Sequence, residues 1–130
     1  MTLIVCLDDR DGMLFLKRRQ SQDSQLRSRV LRLTEGSTLW MNGYSARQFV
    51  EPAPHIRVSE TPLQMEGFCF AENVELSGAK PEKLIIYRWN RHYPADVTFP
   101  RQLMEGMTLE SCTDFPGSSH EVITEEVYSR

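Results

Sequence analysis

The side chains able to do chemistry in this chain are scattered rather than clustered. Asp23 stands just ahead of an apolar stripe at Leu26, Val30 and Leu33. A carboxylate there can act as a catalytic acid at a pocket floor or as a helix N-cap. Capping is the preferred reading, because Asp side chains accept hydrogen bonds from the free N–H groups of a first turn. Gly43, Tyr44, Ser45, Ala46 and Arg47 form a second candidate, a site for the phosphate of a cofactor. A helix opened by Ser45 would turn the free N–H groups of Ala46 and Arg47 toward an anion, with Gly43 allowing close approach of the backbone. Ser45 and Gln48 also have capping-box spacing, with Tyr44 and Phe49 placed as a hydrophobic staple, which accounts for Ser45 without any ligand. Arg47 in a first turn opposes the helix dipole, a conflict that a bound anion would offset.

The basic run Lys17-Arg18-Arg19 could grip a phosphate or an RNA backbone, but three cations in a surface loop are more simply a solvated face. Arg88, Trp89, Arg91, His92 and Tyr93 mix cations with aromatic rings, as a base-stacking platform does. An amphipathic strand gives the same composition and is preferred. Asp96, in the turn Pro94-Ala95-Asp96, reads as a carboxylate bonding backbone N–H groups. His55, His92 and His120 are isolated, and Cys6, Cys69 and Cys112 lie far apart. With no ligand spacing among them, no metal site is expected, and the three thiols read as buried and reduced.

Positioning these groups requires a scaffold, and the apolar pattern supplies one. Thr2 to Leu7 reads as a buried first strand that ends in an acidic turn with Gly12 at its tip. Met13 to Leu16 is a second short apolar piece. The stripe from Leu26 to Leu33, widened by Leu31, predicts a helix of about three turns stopped at Gly36. Its arginines, Arg27, Arg29 and Arg32, fall on the polar side. Residues 38–41, 55–59 and 68–71 read as strands, and residues 83–93 as one long strand. Val97 to Phe99 is a short extended return. A helix beginning at Ser45 is ended by Pro52 and Pro54. Phe115-Pro116-Gly117-Ser118-Ser119 turns the chain between two closing strands. Helices and strands alternate early and strands alone close the chain, which implies an α/β fold: a central, mostly parallel sheet, flanking helices and a C-terminal antiparallel hairpin.

Length and composition narrow the rest. The 130 residues fit one domain, residues 1–130. Apolar residues at 40% and charged residues at 25% exclude a disordered chain. A formal net charge of −3 makes a dedicated nucleic-acid partner an unfavourable reading. No apolar run approaches the ~20 residues of a membrane span. The apolar start lacks the basic leader and cleavage site of a signal peptide, so a cytoplasmic location is expected.

The string from Lys83 to Pro100, a long strand followed by Asp96-Val97-Thr98-Phe99-Pro100, resembles the late strand of the dihydrofolate reductase family. The order of the other elements is similar too. Leu3-Ile4-Val5 with its acidic turn resembles the first strand and mobile loop of that family. Leu39-Trp40-Met41-Asn42-Gly43 resembles the strand leading to its cofactor-facing helix. Ser118-Ser119-His120 and Val127-Tyr128-Ser129-Arg130 resemble its closing hairpin. The resemblance implies a shortened relative, reduced around residues 60–82, with NADPH as the cofactor to be tested.

The chain departs from that family at the chemistry. Glu72-Asn73-Val74 stands where the family carries the paired glycine that lets a dinucleotide pyrophosphate approach. The family's pterin-binding carboxylate falls near Leu26, with Asp23 as the nearest acid. Pro52-Ala53-Pro54 lies near the place of the arginine that holds the folate tail. The resulting expectation is a protein that binds a nucleotide or other small ligand without ordinary folate reduction. The alternative is an active nicotinamide-dinucleotide reductase. A nucleic-acid-related protein akin to ribonuclease Z is weaker still, because the His-x-His-x-Asp-His zinc cluster of that family is absent.

Overall fold

A computed structural model describes all 130 residues, Met1–Arg130. Chain order runs β1 (Thr2–Leu7), β2 (Gly12–Phe15), β3 (Arg18–Arg19), α1 (Ser24–Leu33), β4 (Leu39–Met41), α2 (Gly43–Ala46), β5 (Ile56–Val58), β6 (Phe68–Phe70), β7 (Lys83–Arg88), β8 (Val97–Thr98), β9 (Thr108–Phe115) and β10 (Ile123–Ser129), with single 3₁₀ turns at Pro62–Gln64 and Arg101–Met104. Seven strands form the main sheet in the order β5-β4-β6-β1-β7-β10-β9, and β3-β2-β8 form a small second sheet. β1 runs parallel to β6 and β7, and β4 runs parallel to β5 and β6. β10 is antiparallel to both β7 and β9, so the chain closes with an antiparallel hairpin at one edge.

The alternation of side chains along β1 and β7 divides the interior into two layers. Leu3, Val5, Leu7, Leu84 and Ile86 face a cluster completed by Met13, Leu14, Phe99 and Leu103. Ile4, Ile85 and Tyr87 face the opposite way, onto Leu26 and Val30 of α1 and onto Met41, Phe49, Phe70 and Ile123. Burial of each such aliphatic side chain is worth about 1.5–3 kcal/mol relative to exposure. A two-sided core of this kind leaves the carboxyl ends of β1, β4 and β6 as the open rim, where ligands of open α/β sheets bind.

Helix α1 forms because Leu26 and Val30 recur at one-turn spacing on its buried face. The Asp23 carboxylate accepts from the N–H groups of Gln25 and Leu26 at its start. Gly36, with φ +81°, turns the chain away beyond its end. Leu33, expected on the apolar stripe, is 41% exposed.

Four expectations are corrected by the structure. The second helix is capped by Asn42, whose Oδ1 accepts from Ser45 N–H, and it spans only Gly43–Ala46. Asn is as good a cap as Ser and comes three residues earlier, so Ser45 lies inside the turn and Arg47 falls at its C-cap, where a cation suits the dipole. The long strand ends at Arg88 rather than at residue 93, because Asn90 adopts a left-handed φ of 59° that breaks the extension. Cys112 is exposed, not buried, since β9 is an edge strand lying in solvent along nearly its whole length. Arg19 leaves the basic run and enters the cleft, as described below.

Candidate functional site

Hairpin β2–β3 determines what fills the rim. Its turn is made by Leu16 and Lys17, both with positive φ, so the chain reverses tightly and Arg19 pairs across from the buried Leu14. Cross-strand partners point to the same face. Arg19 therefore points inward, while Lys17 and Arg18 remain in solvent. Its Nε and Nη2 donate to Glu72 Oε2 and Oε1 at 2.9 and 3.0 Å. Nη2 also donates to the Tyr44 carbonyl at 3.2 Å, and the guanidinium carbon lies 4.2 Å from the Tyr44 ring centroid. Ser45 Oγ donates to Glu72 Oε1 at 2.8 Å. Burial disfavours the Arg19 cation, but its hydrogen bonds and charge pairing with Glu72 outweigh this and strengthen its hold on the proton.

Three spaces meet at Arg19. Phe15, Leu16, Tyr93 and Pro94 wall one of about 490 Å³. A second of about 490 Å³ lies between the helices and is lined by Arg27, Arg47, Gln22, Gln48 and Tyr44. Between β1 and β6, near Cys6, Ala71 and Trp89, only about 10 Å³ remains beside Arg19 and Glu72. Arg27 in the second space is neutralised by both carboxylate oxygens of Glu51 at 3.1 Å. The Arg47 side chain makes no ion pair or hydrogen bond, and Gln48 Nε2 is buried without an acceptor.

A further cavity of about 380 Å³ beyond α2 has the opposite character, with Glu60 and Glu75 beside Asn42 and Asn73. Gly43 N–H donates to Glu60 Oε2 at 3.1 Å, so an internal carboxylate already occupies the start of this short helix.

Asp23 lies outside these cavities. Besides capping α1, it accepts from the backbone N–H groups of Ser118 and Ser119 at 3.0 and 2.8 Å, and its Oδ2 lies 3.0 Å from His120 Nδ1. His120 Nε2 lies 3.0 Å from both Ser21 Oγ and Tyr93 OH. Trp89 stacks on the imidazole at 4.5 Å between centroids. The order Ser21–His120–Asp23 has the connectivity of a nucleophile–base–acid relay. The imidazole, however, is sealed, its side chain 1% exposed, and Tyr93 shares the nitrogen that a nucleophile would need. The arrangement ties the start of α1 to the loop entering β10.

The five residues placed at the second helix thus divide. Gly43 and Ala46 have their N–H groups taken by Glu60 and by the Asn42 carbonyl. Tyr44 and Ser45 bind the Arg19–Glu72 pair, and Arg47 faces the space between the helices. Arg88 pairs with Asp11 and Glu126, while Arg91 and His92 are exposed, so no stacking platform forms. Asp96 accepts from Leu16 N–H at 3.1 Å and holds the β2–β3 turn. No three metal-ligating side chains converge. Sequence reasoning missed Arg19, His120, Ser21 and Tyr93 as partners. The inward turn of Arg19 had no readable signal, since Leu16 and Lys17 are not the Asn, Asp or Gly that mark a two-residue reversal with positive φ. The others meet only across long separations.

No protein-family model matches the chain, and no curated protein sequence does. Among solved structures it is similar to a dihydrofolate reductase from Enterococcus faecalis, complexed with NADP(H) and RAB-propyl, over 99% of this chain and 95% of that one, with a TM-score of 0.67 at 12% identity. The likeness extends over the whole sheet and both flanking helices: this chain has a dihydrofolate-reductase-like fold.

Proposed function

We propose that the protein is a binding protein for a small anionic ligand of mononucleotide size, held in the space between α1 and α2. One observation carries this reading: Arg47 lines that space without an internal partner. A phosphate or carboxylate oxygen would pair with Arg47, and Arg27 would add field while keeping Glu51 as its own counter-ion. The volume suits a compact ligand. The test is a titration with AMP, citrate and inorganic phosphate. Stabilisation by AMP or citrate that is lost in Arg47→Glu supports the reading, and no response to any of the three sinks it.

The second reading is a reductase that uses NADPH, raised by the fold likeness to a protein complexed with NADP(H). The residues present do not fit that cofactor. Glu72, 8% exposed, stands at the end of β6 where the paired glycine would be, with Arg19 packed against it. The cavity beyond is lined by Glu60 and Glu75, and no cation offsets their charge there. A dinucleotide pyrophosphate would meet the bulk of the Arg19–Glu72 pair where glycine backbone is needed, and the carboxylates of Glu60 and Glu75 beyond it would repel its charge. Ligand at 100 times its dissociation constant stabilises a fold by about 2.7 kcal/mol. A clear rise in melting temperature with NADPH would restore the reductase reading, and an unmoved one is expected. No helix is long and apolar enough to cross a membrane.

A further inference from the structure

The surroundings of the Arg19 guanidinium form a complete recognition set for a planar cation. Glu72 presents both carboxylate oxygens to two parallel N–H donors. The Tyr44 carbonyl takes a third N–H, and the Tyr44 ring covers one face of the cation at 4.2 Å. Ser45 Oγ donates to Oε1 at 2.8 Å and so fixes the carboxylate without competing for the cation. Fork, carbonyl and aromatic face are the features that distinguish guanidinium from ammonium recognition.

The occupant is tethered through its backbone, so only its side chain need leave the site. Arg19 pairs with β2, its N–H donates to Tyr44 OH at 2.9 Å, and Asp96 holds the hairpin turn, whose Leu16 is 68% exposed. Spaces of about 490 Å³ open on two sides of its side chain. One can admit a ligand and the other can take the displaced arginine. The receptor itself rests on firmer ground: Ser45 is fully buried and Glu72 nearly so, and both follow strands of the main sheet.

We propose that Glu72, Ser45 and Tyr44 form a binding site for an amidine, guanidine or 2-aminoheterocycle edge, and that Arg19 is its tethered internal occupant, exchangeable for such a ligand. The exchange works as intramolecular competition. An arginine held at an effective concentration of order millimolar lowers the apparent affinity of any external cation, and its removal restores that affinity. This site adjoins the anion space proposed above, which Arg19 and Tyr44 also line, but its carboxylate and hydroxyl, Glu72 and Ser45, lie outside that space. A probe without an anion tests it alone, so each reading stands or fails by itself.

The experiment titrates benzamidine, with neutral benzamide as control, into the wild-type protein, Arg19→Ala, Arg19→Gln and the double variant Arg19→Ala with Glu72→Gln, followed by amide NMR and calorimetry. Arg19→Ala should bind benzamidine about tenfold or more tightly than wild type, in line with release from the tethered competitor. Shifts should centre on Tyr44, Ser45 and Glu72, benzamide should not bind, and the double variant should lose the site. In wild type, saturating benzamidine should move the Arg19 Nε–H resonance away from its carboxylate-bonded position. If Arg19→Ala does not fold, Arg19→Gln and the wild-type titration carry the test. A folded Arg19 variant with no benzamidine binding, equal binding of benzamide, or an Arg19 resonance unmoved at the solubility limit would each overturn the proposal.

Discussion

The Nδ1 atom of His120 lies 3.0 Å from the carboxylate of Asp23, joining residues 97 apart in sequence. Through this contact the first turn of α1 and the loop entering β10 become one structural unit, because the same carboxylate also accepts four backbone N–H groups. Burial opposes ionisation of Asp23, but hydrogen bonds from His120, Ser118, Ser119 and Leu26 outweigh it and hold the carboxyl well below the usual range.

Asp23 should therefore make stability depend on acid. Its folded-state pKa lies below the unfolded value near ~4, so its contribution is fully present above that pH and is lost as pH falls toward the folded value. Denaturant midpoints measured from neutrality downward should fall below about pH 4. In Asp23→Asn this fall should be shallower, though not absent, since Asp8 and Asp11 are also depressed by their hydrogen bonds despite opposing burial. Asp23→Ala should cost about 3 kcal/mol at neutral pH, the sum of a lost cap and a lost charged latch. An unchanged acid limb in Asp23→Asn would show that the latch is energetically idle.

Gly117 should tolerate no side chain. A Cβ there would lie 2.5 Å from Asp23 Oδ2 and 2.7 Å from the His120 carbonyl. Gly117→Ala must push the loop off the Asp23 carboxylate, at a cost of roughly 1–3 kcal/mol. Trp89 stacks on His120, so its fluorescence should change together with the loss of stability. A variant as stable as wild type, with the same emission, would contradict the close approach.

Arg47→Glu should leave stability within about 0.5 kcal/mol, since the side chain is exposed and unpaired. The small penalty expected comes from placing an anion at the C-cap of α2. Binding of AMP or citrate should nonetheless weaken by at least about tenfold, as follows from replacing a charge-assisted contact with a like-charge one. Unfolding by this substitution would make Arg47 a structural partner instead.

The three cysteines should separate cleanly by reactivity. Cys69 is fully buried and its thiol is pushed up to about 12 by that burial, and burial also raises Cys6 strongly. Cys112, exposed on the edge strand β9, is the most accessible of the three, with Cys6 half-buried and Cys69 buried. A disulfide reagent at neutral pH should label one thiol rapidly and the other two only on unfolding. Cys112→Ser should remove the fast phase, and a fast phase that persists would refute the assignment.

Local pattern in the sequence was enough to determine the scaffold. Leu3 to Leu7 and Leu84 to Tyr87 carry the unbroken apolar runs of strands covered on both faces, and Leu26 and Val30 carry the helical period. These signals depend on neighbours within a few residues, so sheet, helix and closing hairpin could be read without a structure. Glu72 in place of a glycine was equally visible, because its meaning depends only on its position after a strand. The site itself was decided by tertiary structure. Arg19 pairs with Glu72 across 53 residues, and Ser21 reaches His120 across 99. Asn42 outcompeted Ser45 as a cap while also donating to Asn73, 31 residues away. A lone cation in a basic run looks like any solvated arginine until its hairpin folds inward. Hydrogen-bond partners at such separations are chosen by where the folded backbone brings two side chains within about 3 Å, and no local periodicity encodes that distance.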